Sequence, residues 1–221
     1  NSLDVLVTTD DGHQYVRHYL IDFASTLGTG AYGPIHKFGW EATVDPKAFV
    51  RRTLNLGLRE DDYRRVEQPE GLPEIGLFEA EIFTPRGYDP PMPNPAFQRI
   101  NRRDGYWAAK IVSAFTDEQL LAASEAGHYR DPDATRAMAR ILGDRRDRVA
   151  RAWFDVIAPL DFFVLRGSDV HYRDLGHERG IYARTGDPDA PRYRSRVVAV
   201  DADRDAWRDV DWIVADATVV S

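Results

Sequence analysis

A short apolar strand that ends in a carboxylate is the stretch of this sequence best suited to chemistry. Residues 18–21 form a run of bulky side chains without alternation, which predicts a buried strand, and Asp22 follows directly. An acid at the end of a buried strand is well placed to hold a metal ion, and carboxylate oxygen suits a divalent cation. Asp22 is therefore a candidate metal and phosphate ligand. The alternative is an acid that caps the turn at Ser25 and Thr26.

A β-hairpin is predicted to position this strand. Residues 3–7 alternate in part between apolar and polar side chains, Asp11-Gly12 is a turn signal, and residues 13–20 return. We therefore expect two antiparallel strands, the second of which leads into Asp22. His18 lies on this second strand, where a hydrogen-bonded core histidine is favoured over a catalytic base.

The ends of the hairpin carry a distinctive phrase. Residues 1–7 read Asn-Ser-Leu-Asp-Val-Leu-Val, and residues 18–24 read His-Tyr-Leu-Ile-Asp-Phe-Ala. This resembles the catalytic centre of the protein-kinase-like superfamily, closest to the phosphoinositide kinases and the secreted or spore-coat kinase-like proteins. It also resembles uncharacterised bacterial proteins with an Asn…His-Tyr-Leu-Ile-Asp-Phe motif. In kinases a catalytic loop ends in Asn, and a later strand delivers the Asp-Phe-Gly aspartate. The resemblance implies that Asn1 matches that asparagine and Asp22 that aspartate.

The resemblance implies a Mg²⁺- and ATP-dependent phosphotransferase of unknown substrate, in which Asp22 is catalytic and Asp22 and Asn1 hold the metal and nucleotide. Ala24 stands where the family has glycine, and no G-x-x-x-x-G-K-[ST] loop occurs. The catalytic-loop aspartate, nucleotide lysine and glycine-rich loop are expected on a missing N-terminal segment of the same protein. We therefore expect this chain to be the C-terminal part of a kinase-like protein and inactive alone. If Asn1 carried a free α-amino group about 5 Å from Mg²⁺, each unit of charge on the ion would repel that ammonium by roughly 3 kcal/mol. We therefore expect a working metal site only if Asn1 is preceded by more chain.

Composition limits the classes of partner. The chain has 221 residues, 43% hydrophobic and 29% charged, which is typical of a soluble globular protein. Its net charge of −7 argues against nucleic acid or an anionic membrane as the main partner. No apolar run approaches the ~20 residues that span a bilayer. The absence of cysteine removes disulfides and thiolate chemistry. Cytoplasmic and exported locations both remain open.

The rest of the chain predicts an α+β fold with two parts. Residues 1–158 form a kinase-like C-lobe, with the hairpin at 1–28, an irregular Gly/Pro-rich segment at 29–100 and helices at 104–157. Asp131-Pro132 marks a helix start, and a bend is expected at Gly143. Residues 160–221 form a small antiparallel β region with strands at 162–165, 193–200 and 212–215. The alternative function is a non-catalytic kinase-like interaction module, in which the Pro-rich 85–95 segment and the β region bind a partner.

Further polar clusters are interpreted first as surface features. A histidine and carboxylate group in a polar loop resembles a zinc site, but a solvated face is favoured. His36 and Lys37 in the Gly-rich segment are weaker candidates for contact with a substrate phosphate. The acidic run at 201–211 lacks the glycine and terminal glutamate of a calcium loop. The first group comprises Asp169, His171, Asp174, His177 and Glu178, and a solvated strand edge carries Arg192, Arg194 and Arg196.

Overall fold

The chain folds as a mixture of α-helices and short antiparallel β-sheets, which confirms the predicted α+β class. The computed structural model describes residues 2–20, 26–30, 33–34, 50, 53–56, 58, 65–87, 99–167, 169–182, 193, 198–201 and 206–209. Strands in these ranges are β1 Ser2–Thr8, β2 Gln14–Leu20, β3 Thr29–Gly30, β4 Gly33–Pro34, β5 Leu160–Arg166, β6 Asp169–Asp174, β7 Val198–Asp201 and β8 Ala206–Asp209. The helices there are α1 Arg102–Val112, α2 Asp117–Glu125, α3 Pro132–Phe154 and α4 Leu175–Glu178, with a 3₁₀ turn at Pro85–Gly87.

The chain separates into two compact units. The first comprises Asn1–Pro95 and Asp117–Asp144, and the second comprises Ala96–Thr116 and Arg145–Ser221. The described strands pair as four two-stranded antiparallel ladders, each between neighbours in sequence. Such local pairing follows from the turn signals between the strands. The predicted division of the chain near residue 159 stays a prediction.

In the first unit, the hairpin predicted at the start of the chain is confirmed. β1 pairs with β2 from Ser2↔Leu20 to Thr8↔Gln14. Gly12 closes the turn with φ +83°, a backbone conformation that favours glycine. The predicted burial of residues 18–21 is wrong where it can be seen: the His18 side chain is 70% exposed and Tyr19 is exposed. A two-stranded sheet leaves both faces open to solvent unless another layer covers it.

The core of the first unit forms around one face of α3. Ala134, Ala137, Met138 and Ile141 repeat at helical spacing and are buried. They pack with Ile75, Phe78 and Ala80 from the irregular segment, and Leu27 and Leu72 border this cluster. The predicted helix start is confirmed, because the Asp131 carboxylate accepts a hydrogen bond from the Asp133 N–H at 2.8 Å. α3 then continues as helix through Gly143.

The second unit has its own core. Ala109 of α1 and Ala150 and Phe154 of α3 are buried with Leu175 and Ile181. α1 begins with a capping box: the Asn101 side chain accepts from the Asp104 N–H, and the Asp104 carboxylate accepts from the Asn101 N–H. The helices at 104–157 are predicted from the spacing of their apolar side chains, and this capping box is a further local signal at the start of α1.

In the described part of the second unit, four strands form two short antiparallel hairpins. β5 contains the predicted strand at 162–165, and β7 overlaps the one predicted at 193–200. β6 and β8 were not expected, because their charged and short sequences give weak strand signals. The strand predicted at 212–215 lies outside the described residues.

Two helical glycines predict stability changes of opposite sign. A Cβ at Gly105 would lie 2.5 Å from Cε2 of Trp153, whereas one at Gly143 would lie 3.7 Å from the nearest atom, Oδ1 of Asp117. Gly105→Ala is therefore expected to lower the free energy of unfolding by about 1–2 kcal/mol, since overpacking outweighs the gain in helix propensity. Gly143→Ala should raise it by about 0.5–1 kcal/mol. Urea denaturation of both variants measures the difference, and equal effects would contradict the packing argument.

Candidate functional site

The two residues of the predicted metal site, Asn1 and Asp22, lie outside the described residues. The structure does describe the β1–β2 hairpin, which lies between Asn1 and Asp22 in the sequence. Ser2 and Leu20 form the last pair at its open end. Asn1 is bonded to Ser2, and Asp22 follows Leu20 by two residues. The roles assigned to both residues therefore stay predictions.

The hairpin presents two different faces. Leu3, Val5 and Val7 pair with Tyr19, Arg17 and Tyr15 on one face, where the Arg17 guanidinium donates to the Tyr15 hydroxyl at 2.7 Å. A hydrogen bond with Tyr19 and the charges of both tyrosines raise the pKa of Arg17. On the other face, His18 and Asp4 are opposite each other and hydrogen-bond at 2.7 Å.

His18 is therefore hydrogen-bonded as expected, but on an open surface. Cross-strand contacts of this kind contribute only tenths of a kcal/mol to about 1 kcal/mol each. A two-stranded hairpin held by such contacts is marginal alone in water. The exposed apolar side chains on both faces indicate that the hairpin has to be covered in order to be stable.

A glycine pattern follows the predicted site. Residues 28–33 read Gly-Thr-Gly-Ala-Tyr-Gly, which matches G-x-G-x-x-G. The dinucleotide fingerprint requires a strand before the pattern and a helix after it. Here its described part forms the two-residue ladder of β3 and β4. Gly28 serves a close backbone contact instead, since Leu77 N–H donates to its carbonyl at 3.1 Å.

A charged cleft of about 600 Å³ lies in the first unit. Buried Ala80 and Ile141 contribute to its lining. Four carboxylates and two guanidinium groups surround it: Glu67, Glu79, Glu81 and Asp144, with Arg65 and Arg140. One of the Glu79 oxygens accepts from the Ile82 N–H at 3.0 Å. The excess of negative charge disfavours polyphosphate, so this cleft is a poor candidate for nucleotide.

In the second unit, a cluster of ion pairs surrounds an irregular point in β5. The pairing of β5 with β6 shifts between Asp161 and Val164, and Phe162 there has φ +56°. This conformation is rare for a bulky side chain. The Lys110 ammonium and the Arg173 guanidinium lie 4.8 and 4.9 Å from the centroid of the Phe162 ring. Cation–π contacts of about 0.5–1 kcal/mol each offset part of the strain.

The cations of this cluster are already paired. Lys110 forms a salt bridge with Asp161, and Arg173 binds Glu178 through two nitrogens. Arg179 donates to the Lys110 carbonyl and to the Ser113 hydroxyl. Burial and the charge of Arg173 lower the pKa of Arg179. The cluster is therefore a structural network, without a cation aimed at an anionic ligand.

The Lys110–Asp161 pair predicts a pH-dependent stability. The hydrogen bond from Lys110 holds the pKa of Asp161 below its usual range, and the Phe162 N–H acts in the same direction. A carboxyl group whose pKa is lower when folded stabilises the fold above its unfolded pKa of about 3.9, and this contribution is lost as the pH falls through the folded value.

A double-mutant cycle with Lys110→Met and Asp161→Asn tests this contribution. We expect a coupling of about 1 kcal/mol at pH 6, because the pair is only partly exposed, and progressive loss of the coupling below about pH 4. Urea denaturation of the four proteins at each pH gives the coupling. A value that does not change with pH would show that the carboxylate charge is not involved.

Two carboxylates of the histidine and carboxylate group, Asp174 and Glu178, make structural contacts. Within the described ranges, no group of three or more His, Asp or Glu side chains could hold a metal ion. Asp174 is buried and accepts from the His177 N–H at 3.0 Å, which caps α4. Glu178 binds Arg173.

Other predicted features fall outside the described part of the chain. These are the contacts of His36 and Lys37, the Pro-rich stretch after Gly87, the alternating Arg192, Arg194 and Arg196, and much of the acidic run. Two members of that run, Asp201 and Asp209, end β7 and β8.

Comparisons with known proteins assign this chain to no family. No family model, no curated protein and no solved structure matches this chain. In the residues that the structure covers, no helix is long and apolar enough to cross a membrane. The kinase resemblance and the absence of a nucleic-acid partner therefore stay predictions from sequence.

Proposed function

We propose that the chain is the C-terminal part of a kinase-like phosphotransferase, in which Asp22 and Asn1 hold Mg²⁺ against the phosphates of ATP. The observation that carries the proposal is the register of the β1–β2 hairpin. Because Ser2 pairs with Leu20, the chain before β1 and the chain after β2 leave the hairpin at the same end. This is the arrangement that a metal-binding asparagine and an aspartate require when a hairpin separates them.

The ligand types fit the chemistry. A carboxylate and an amide oxygen are hard ligands of the kind that Mg²⁺ takes together with substrate phosphates. Bound Mg²⁺ neutralises charge on the phosphates, and phosphoryl transfer depends mainly on such positioning and charge stabilisation. Asp22 would act as the metal ligand and Asn1 would assist it. A lysine and a glycine-rich loop are also required, and the proposal assigns them to another segment of the same protein.

The proposal is tested by Mg²⁺-dependent ATP binding to the full-length protein. Asp22→Asn keeps the size of the side chain but removes its charge, and we expect the affinity to fall by roughly a hundredfold. Asp10→Asn is a matched control, because Asp10 lies in the turn at the opposite end of the hairpin. Its affinity should equal that of the wild type. Equal binding by Asp22→Asn and the wild type would refute the proposed site.

A second candidate function is a non-catalytic kinase-like interaction module. One face of the β5–β6 hairpin favours it, because Phe163, Leu165 and Val170 are 60%, 70% and 60% exposed. Leu165 and Val170 are directly opposite each other, and the Phe163 ring lies 5.8 Å from that of Tyr172. Contiguous apolar surface of this kind is often an interaction site. Full-length protein that binds no ATP with Asp22 intact would favour this function.

A further inference from the structure

One face of the β1–β2 hairpin combines apolar side chains with a single charged group. Successive side chains of a strand alternate between faces, so each strand contributes three residues to this one. The six residues are Leu3, Val5, Val7, Tyr15, Arg17 and Tyr19, and we call them the tyrosine–arginine face. All are exposed except Val7, which is partly buried. Tyrosine and arginine are among the residues most enriched where proteins bind one another.

The two tyrosines of this face hold the guanidinium of Arg17 between them. Arg17 donates to the Tyr15 hydroxyl at 2.7 Å and to the Tyr19 hydroxyl at 3.4 Å. Its guanidinium carbon also lies 5.5 Å from the centroid of the Tyr15 ring. The long side chain is therefore positioned along β2 before any partner arrives. A partner that binds it loses less affinity to the ordering of that side chain.

The polar groups at the centre of this face are available as hydrogen-bond donors. A guanidinium carries more N–H groups than these two contacts use, and it has no acceptor. Each tyrosine hydroxyl accepts from Arg17, so its own O–H is left to donate. Among the described residues no carboxylate forms an ion pair with Arg17, and the Asp4 carboxylate binds His18 on the opposite face. The complement of such a cluster is an anionic acceptor.

We propose that the tyrosine–arginine face binds an acidic segment of a partner protein, whose carboxylate meets Arg17 and whose apolar side chains cover Leu3 and Val5. A carboxylate only accepts hydrogen bonds and can bind a guanidinium through two parallel ones. One positive charge, on a chain of net charge −7, matches a single carboxylate better than it matches a polyanion such as nucleic acid. The inference is independent of the phosphotransfer proposal, because it uses neither Asn1 nor Asp22.

A phage-displayed library of random-sequence peptides tests the chemistry of the partner. The library is selected on the full chain, and phage that also bind the Arg17→Gln variant are removed. We expect the remaining peptides to be enriched in Asp or Glu beside apolar residues. Failure to find a peptide that distinguishes the two proteins, or selected peptides without acidic enrichment, would overturn the proposal. Displacement of a selected peptide by single-stranded oligothymidylate would overturn it in favour of nucleic acid.

Titration of a selected, fluorescently labelled peptide by fluorescence polarisation then locates its binding surface. Arg17→Gln should weaken binding about tenfold, the effect of a charge-assisted hydrogen bond. Arg166→Gln changes the net charge equally on exposed β5 and should bind as the wild type does. Val5→Thr should weaken binding about threefold, whereas Val16→Thr, on the other face, should not. Equal effects within either pair of variants would contradict the proposal.

A change in the peptide separates a direct contact from an effect on the hairpin. The acidic residue of the peptide is replaced by its amide, which removes the charge and keeps the size. We expect the wild type to bind this peptide as weakly as Arg17→Gln binds the original one. The amide peptide should bind Arg17→Gln with no further loss, because the two changes remove the same contact. Additive losses would show that the carboxylate binds elsewhere, and the proposal would fail.

Discussion

Gly28→Ala is expected to lower the free energy of unfolding of the first unit by about 4 kcal/mol. Gly28 has φ +76°, which costs an L-residue about 1–2 kcal/mol. A Cβ there would also lie 2.6 Å from the carbonyl carbon of Leu77 and 2.8 Å from its nitrogen. These are backbone atoms, which cannot move aside as a side chain can, and overpacking adds about 1–3 kcal/mol. Urea denaturation measures the sum.

Gly71→Ala is the control that separates the two contributions. Gly71 has φ +74°, but nothing lies within 4 Å of the position of its Cβ. It should therefore lose only the conformational part, about 1–2 kcal/mol. The difference between the losses of unfolding free energy in the two variants measures the close backbone contact of residues 27–28 with residues 76–77. Equal losses would show that the two backbone segments are not in tight contact. This contact would then not hold the segment after Asp22 against the core.

The parts of the fold that could be predicted from sequence depend on local signals. Asp11-Gly12 fixes the turn of the first hairpin, and Asp131-Pro132 fixes the start of α3. Both act within a few residues, so a sequence pattern is enough to identify them. The predicted burial of residues 18–21 is wrong because burial depends on contacts with distant parts of the chain, which a local pattern does not report. A run of bulky side chains reports what a strand could bury, but not whether another layer covers it.

The contacts that organise each unit could not be predicted in the same way. Gly28 meets Leu77 across 49 positions, and the Arg179 guanidinium reaches the Lys110 carbonyl across 69. Glycine at residue 28 signals conformational freedom but not the partner it approaches. The cluster of ion pairs around Phe162 is similar, because Lys110, Asp161 and Arg173 come from separate stretches with no shared motif. Such sites depend on tertiary packing, which one sequence does not encode as a local pattern.

Leu175→Ala is expected to destabilise the second unit by about 3 kcal/mol. Leu175 is fully buried, in the core that also contains Ala109, Phe154 and Ile181. Truncation of a buried leucine loses its transfer free energy and leaves a cavity, which together cost about 2–5 kcal/mol. The backbone of the residue is also held, because its N–H donates to the Pro159 carbonyl at 2.8 Å. This hydrogen bond restrains the backbone at residue 175, so we expect the cavity left by the substitution to stay largely unfilled.

Leu165→Ala is the matched control, since it makes the same chemical change on β5, where the side chain is 70% exposed. Surface substitutions of this kind stay within about 0.5 kcal/mol. Urea denaturation of both variants compares a core leucine with an exposed one in the same unit. A large loss for Leu165→Ala would mean that the apolar face of the β5–β6 hairpin is covered in solution. A loss below about 1 kcal/mol for Leu175→Ala would instead contradict the core described for this unit.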